Sequence, residues 1–127
     1  MKLNLLLAFL FFGCNNLNSS KTSDFESFES FEKRFFSDSK FQLERIIFPL
    51  DNSFWNLDTE SFDNEKINKH DWEYSSLNNK KYLKKFEKSK SEVTLNIQIY
   101  DTGVSVNYIF QLKDGKWFLT KIIDEST

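Results

Sequence analysis

Residues 92–123 read EVTLNIQIYDTGVSVNYIFQLKDGKWFLTKII, and this stretch decides the fold. Val93, Leu95, Ile97 and Ile99 alternate with Thr94, Asn96 and Gln98, the period-two pattern of a half-buried strand. Val104, Val106, Tyr108, Phe110 and Leu112 repeat the pattern. Asp114-Gly115 then supplies a two-residue hairpin turn, and Trp117, Leu119 and Ile123 continue on a third strand. The expectation is an antiparallel meander. Parity sets its register: about the Asp114-Gly115 turn, Leu112 faces Trp117, Phe110 faces Leu119 and Tyr108 faces Lys121. A three-residue loop at Asp101-Thr102-Gly103 would oppose apolar and polar faces, so an even loop is expected. It should pair Ile99 with Val106, Ile97 with Tyr108 and Leu95 with Phe110. The second face carries Ile109, Phe118 and Ile122 among Asn107, Gln111 and Thr120. Such a face is expected to meet a partner or a second copy, or to be covered by N-terminal segments.

Upstream, Ser23-Asp24-Phe25-Glu26 has the form of a helix capping box. Phe25, Phe28, Phe31 and Phe35 follow at spacings that put them on one helical stripe, a core-facing pattern. Ser39-Lys40-Phe41-Gln42 suggests a second short helix through about Glu44. Pro49 lacks a backbone donor, so Arg45–Leu50 reads as a strand at a sheet edge. Phe54–Leu57 fits a short strand, Asp58–Lys69 a polar loop, His70–Tyr74 a strand entry, and Leu77–Lys90 a lysine-rich helix.

The N-terminus gives an address. Met1-Lys2, the apolar run Leu3–Phe12, and Gly13-Cys14 have the order of a cleaved secretory signal. The run is too short to cross a bilayer, which takes roughly 20 apolar residues. The sequence resembles a bacterial lipoprotein signal, which implies lipidation (palmitate) of Cys14, the one cysteine of the chain. Residues 1–13 then form the signal peptide, 14–22 a polar tether, and 23–127 a single domain. The tether lacks an acidic cluster, which points to the periplasmic side of the outer membrane.

The formal charge of the chain is −2, with acids and bases interleaved. Neither nucleic acid nor polybasic docking to anionic lipid is therefore expected as a partner. The fifteen phenylalanines reflect an AT-rich coding bias more than a phenylalanine-specific task.

Helices followed by a bent antiparallel sheet ending in Gly115-Lys116-Trp117-Phe118-Leu119-Thr120-Lys121-Ile122 resemble the nuclear-transport-factor-2-like (NTF2-like, or cystatin-like) superfamily. More narrowly, the run from Phe35 to Leu50, with Asp38-Ser39-Lys40-Phe41-Gln42 and Arg45-Ile46-Ile47-Phe48-Pro49-Leu50, resembles DUF4348, a family of Bacteroidetes lipoproteins of unknown function. Asp71-Trp72 and the Asp114–Ile122 hairpin extend the likeness over about residues 24–125. The resemblance implies an α+β domain whose N-terminal helices pack on a curved antiparallel sheet to form a cone. It implies no established activity.

No catalytic set is expected. His70 beside Asp71 reads as a solvated loop residue. One histidine and a lipidated cysteine cannot make a zinc site, and no glycine-rich phosphate loop or serine elbow is present, so no metal or cofactor is expected. Arg45, Trp55, Trp72, Tyr108 and Lys121 are the candidate pocket residues; Ile109, Phe118 and Ile122 are the candidate interface. The expected function is a non-enzymatic accessory domain of the cell envelope that binds a small ligand or a protein. A small pocket enzyme and a structural homodimer are the alternatives.

Overall fold

A computed structural model describes residues 25–77 and 81–127. The expected signal, Cys14 and the expected tether lie outside the described residues. Helix α1 spans Phe28–Phe35 and α2 Ser39–Glu44. Six strands follow: β1 Ile46–Asn56, β2 Ser61–Ile67, β3 Tyr82–Lys88, β4 Glu92–Ile99, β5 Val104–Lys113 and β6 Lys116–Asp124. They form one curved sheet in the order β2-β1-β6-β5-β4-β3.

The first helix starts later than its capping box suggested. Ser27 caps it, its hydroxyl accepting from the Ser30 N–H (3.3 Å). The Glu26 carboxylate is held instead by Arg45 and by the Trp117 N–H, so it cannot close a box. Phe28, Phe31 and Phe35 are buried as the stripe requires, while Phe25, one turn too early, is 71 % exposed. In α2 the cap is Asp38, whose Oδ1 accepts from the Lys40 and Phe41 N–H groups (both 3.1 Å). Gln42 is thereby free to point inward, and it is completely buried.

The sheet is mixed, which corrects the all-antiparallel expectation. Strand β1 runs parallel to β6 and antiparallel to β2, so it is an interior strand and not an edge. Pro49 is tolerated there because the ladder to β6 is interrupted between Ile46 and Asp51, while pairing to β2 starts only at Leu50. Its missing donor therefore falls where neither neighbour needs one. The Phe48-Pro49 peptide is cis.

Three middle assignments also change. Strand β2 occupies part of the expected loop. The expected strand entry at His70 is a single 3₁₀ turn, Lys69–Asp71, followed by irregular chain through Leu77. The expected helix at Leu77–Lys90 is β3, which pairs with β4 along all seven of its residues. Tyr82, Lys84 and Phe86 alternate with Leu83, Lys85 and Glu87, and filling the hydrogen-bonding edge of β4 overrides the local lysine bias.

The meander forms with corrections of register. The β4–β5 loop is even, as parity demanded, but its four residues pair Ile99 with Val104, Ile97 with Val106 and Leu95 with Tyr108. Leu112 faces Trp117 and Phe110 faces Leu119 as expected. Beyond them a bulge between Ile109 and Phe110 leaves Thr120 as the extra residue of β6. Tyr108 consequently faces Ile122, and Lys121 faces Ile109 on the opposite side of the sheet. The Tyr108–Lys121 pair does not exist, and Ile122 belongs to the core rather than to the outer face.

The core lies between the helices and the concave face. Phe28, Phe31, Phe35, Phe41, Leu50, Leu95, Phe110, Trp117 and Leu119 are all buried in it. Phe110 meets Phe28, Phe31 and Phe35 edge-on at ring-centroid distances of 5.3–5.5 Å, the favoured aromatic geometry.

Candidate functional site

The concave face is closed at its centre. Gln42 uses its whole amide there: Nε2 donates to Phe35 O (2.8 Å) and Ser75 O (2.9 Å). Its Oε1 accepts from Trp72 Nε1–H (2.9 Å) and from the Ser75 N–H (3.0 Å). Residues 72–77 are thus drawn across the cone as a strap. Tyr74 adds a bond from its hydroxyl to Phe36 O (3.1 Å), and the Ser75 and Tyr108 hydroxyls meet at 3.3 Å. Burial pushes the Tyr108 hydroxyl up from its ordinary pKa; the Ser75 contact opposes this, and Tyr82 and Asp124 reinforce it.

A second closed cluster sits where the chain enters the domain. Arg45 Nη1 donates to Glu26 Oε1 (2.6 Å) and to Trp117 O (3.2 Å), and its guanidinium lies 4.6 Å from the Phe41 ring centroid. Burial alone would raise the Glu26 carboxyl. The hydrogen bonds from Arg45 and the Trp117 N–H, with the charges of Arg45 and Lys116, outweigh it and hold Glu26 below its ordinary value.

The open surface lies at the far end of the sheet, away from the β5–β6 turn. A groove of about 280 Å³ is lined there by Asn52, Phe54, Trp55, Glu65, Asp124 and Ser126. Asn52 pairs with Glu65 across β1–β2 and with Ile122 across β1–β6, while Phe54 pairs with Asp124. This brings carboxylates from β2 and β6 to either side of β1. Asn52 Nδ2 donates to Glu65 Oε2 (2.9 Å), and Asp124 Oδ1 accepts from the Ser126 N–H (2.9 Å). On the convex side a groove of about 390 Å³ is lined by Asp51, Asn64, Glu65, Lys66 and Lys121. The Lys66 ammonium bonds the exposed Asp51 carboxylate; that bond, with the charges of Lys66 and Lys121, outweighs desolvation and keeps Asp51 below its ordinary pKa.

The five expected pocket residues do not converge. Arg45 is locked in the Glu26 cluster, Trp72 holds the strap to Gln42, and Tyr108 lies beneath the strap. Trp55 stacks edge-on against Phe62 (5.2 Å) and lines the far groove, while Lys121 lines the convex one. Of the expected interface, Ile109 and Phe118 are half-buried on the outer face. Asn52, Glu65 and Asp124 were missed. Without β2, no pattern in the sequence could bring Glu65 beside Asn52. Among the described residues no group of histidine, cysteine or carboxylate side chains could hold a metal ion.

No protein-family model and no curated protein matches the chain. Solved structures do. An ntf2-like protein from Bacteroides fragilis is similar at 25% identity with a TM-score of 0.64, covering 82% of this chain and 49% of that one. The chain thus spans about half the length of that protein. A cystatin-like protein from Bacteroides caccae aligns at 22% identity and a TM-score of 0.57, over 77% of this chain and 75% of its own. A Bacteroides uniformis protein aligns at 22% and 0.55, over 77% and 76%. The likeness to these proteins makes the fold NTF2-like, here a mixed, curved sheet with two short helices in its hollow.

Proposed function

We propose that the chain is a lipid-anchored protein of the bacterial cell envelope, of the DUF4348 type, whose domain is a non-enzymatic binding module for a small amine-bearing ligand. The observation that carries the ligand class is the far groove. Glu65, beside Asn52, and Asp124, beside Phe54, line it together, and this combination of carboxylates with an amide and an aromatic ring suits an ammonium group. Binding is favoured over catalysis because the buried polar groups of the interior, Gln42 and Tyr108, are engaged in holding the strap.

Calorimetry of the purified protein with lysine, arginine and spermidine as probes tests the ligand class. Saturable heat with one of them, weakened about tenfold or more by Asp124→Asn or Glu65→Gln, is the expected result, in line with one lost charge-assisted hydrogen bond. No heat from any probe at millimolar concentration would sink it. Turnover of a probe would shift the reading to the pocket enzyme, for which the same two carboxylates speak. The anchor has its own test: Cys14→Ser should abolish metabolic labelling by palmitate.

A further inference from the structure

We propose that the outer face of β3, β4 and β5 carries a binding groove for a neutral oligosaccharide, separate from the Asn52–Asp124 groove and independent of the amine reading. The first support is the choice of residues. Asparagine is disfavoured in strands, yet Asn96 of β4 and Asn107 of β5 stand directly opposite each other in two interior strands. Gln98 stands opposite Ser105 in the next pair on the same face. A local preference broken at neighbouring positions marks side chains kept for something other than the strand.

Geometry is the second support, because these side chains form one directed chain. Gln98 Nε2 donates to Asn96 Oδ1 (2.9 Å), and Asn96 Nδ2 donates to Asn107 Oδ1 (2.8 Å) and Ser105 Oγ (3.1 Å). Asn107 Nδ2 then donates to Glu125 Oε1 (2.9 Å), and Glu125 is itself placed by its N–H, which donates to Ser105 O (2.8 Å). Side chains that already hold one another lose little freedom when a ligand arrives. Only Asn96 spends both amide hydrogens in the chain, so Gln98 and Asn107 each keep one to give. A sugar hydroxyl both gives and takes a hydrogen bond, and an amide answers both.

The lining is the third support. The groove, of about 370 Å³, has five neutral amides or hydroxyls among its eight lining residues, the charged ones being Lys85, Glu87 and Glu125. It runs on into a groove of about 400 Å³ that shares Gln98, Ser105 and Glu125 and adds Leu83, Tyr100 and the acid Asp101. Lys85 is the one base among these lining residues, which disfavours anionic sugars. Tyr100, 73 % exposed, offers a ring face to the apolar C–H side of a sugar. From Thr94 to Gln98 alone the strand runs roughly 13 Å, room for more than one sugar ring.

NMR of the purified protein, read at the side-chain amide protons of Asn96 and Asn107, tests this with maltopentaose, cellopentaose, xylopentaose and chitopentaose. Saturable shifts of those protons with one of the four are expected. Tyr100→Ala and Gln98→Leu should each weaken that binding about fivefold or more, the scale of one lost ring contact or hydrogen bond, with the backbone spectrum otherwise retained. Glu65→Gln, in the other groove, should leave it unchanged. No shift with any of the four at millimolar concentration overturns the proposal, as does tighter binding of pentagalacturonate or spermidine at the same amides. Shifts of these amides on dilution without sugar would assign the face to a second copy of the chain and overturn it too.

Discussion

Two side chains act by hydrogen-bond satisfaction, Gln42 at the centre of the concave face and Glu26 beside the β5–β6 turn. Gln42 is fully buried, and each of its amide atoms serves two partners from Phe35, Trp72 and Ser75. Gln42→Leu keeps the volume but strands the Trp72 and Ser75 donors. We expect a loss of about 3 kcal/mol in urea unfolding, given roughly 1–3 kcal/mol per unsatisfied buried group. A loss under a few tenths would show that the strap is not held by Gln42. Glu26 makes a pH prediction. Its folded pKa lies below the ordinary 4.5, so its stabilisation is complete above that value and fades as pH falls through the folded one. Glu26→Gln should cost about 1–2 kcal/mol at neutral pH and flatten the acid limb of the stability curve. An acid limb of unchanged slope would assign that limb to other carboxylates.

Among elements, the strands show where local signals suffice. The Asp114-Gly115 turn has φ of 50° and 80°, the paired left-handed conformations of the tight hairpin that the Asp-Gly dipeptide announces. Gly115→Val puts a β-branched residue at positive φ and should destabilise the domain by about 1–2 kcal/mol. Thermal unfolding of the variant checks this, and an unchanged midpoint would mean the turn can rearrange freely. The meander was legible because its alternation extends over three contiguous strands. β2 and β3 were not, since both are largely exposed and rich in charged residues such as Glu65, Lys66, Lys85 and Glu87, and their partners supply the regularity. The Thr120 bulge was equally invisible. One extra residue exchanges the faces of Lys121 and Ile122, which dissolved the expected Tyr108–Lys121 pair.

At the scale of the whole molecule, stability is unevenly distributed across the sheet. β4, β5 and β6 carry the buried Val93, Leu95, Ile97, Phe110, Trp117 and Leu119, whereas most residues of the outer strands β2 and β3 are exposed. Amide exchange should therefore be slowest at the β4–β5–β6 ladders and faster by orders of magnitude at β2 and β3. Uniform protection across all six strands would contradict this order.

The sequence by itself determined the meander, its tight turn, the aromatic stripe of α1 and the α+β class, because each follows from periodicity over neighbouring residues. Tertiary structure decided what depends on partners distant in the chain. It set β1 parallel to β6, turned Gln42 inward, and gathered Asn52, Glu65 and Asp124 into a groove. Arg45 and Trp72, expected at a pocket, became its structural clasps. The physical reason is that a buried polar group must find whichever donor or acceptor the packed fold brings near it, and no local pattern records that partner.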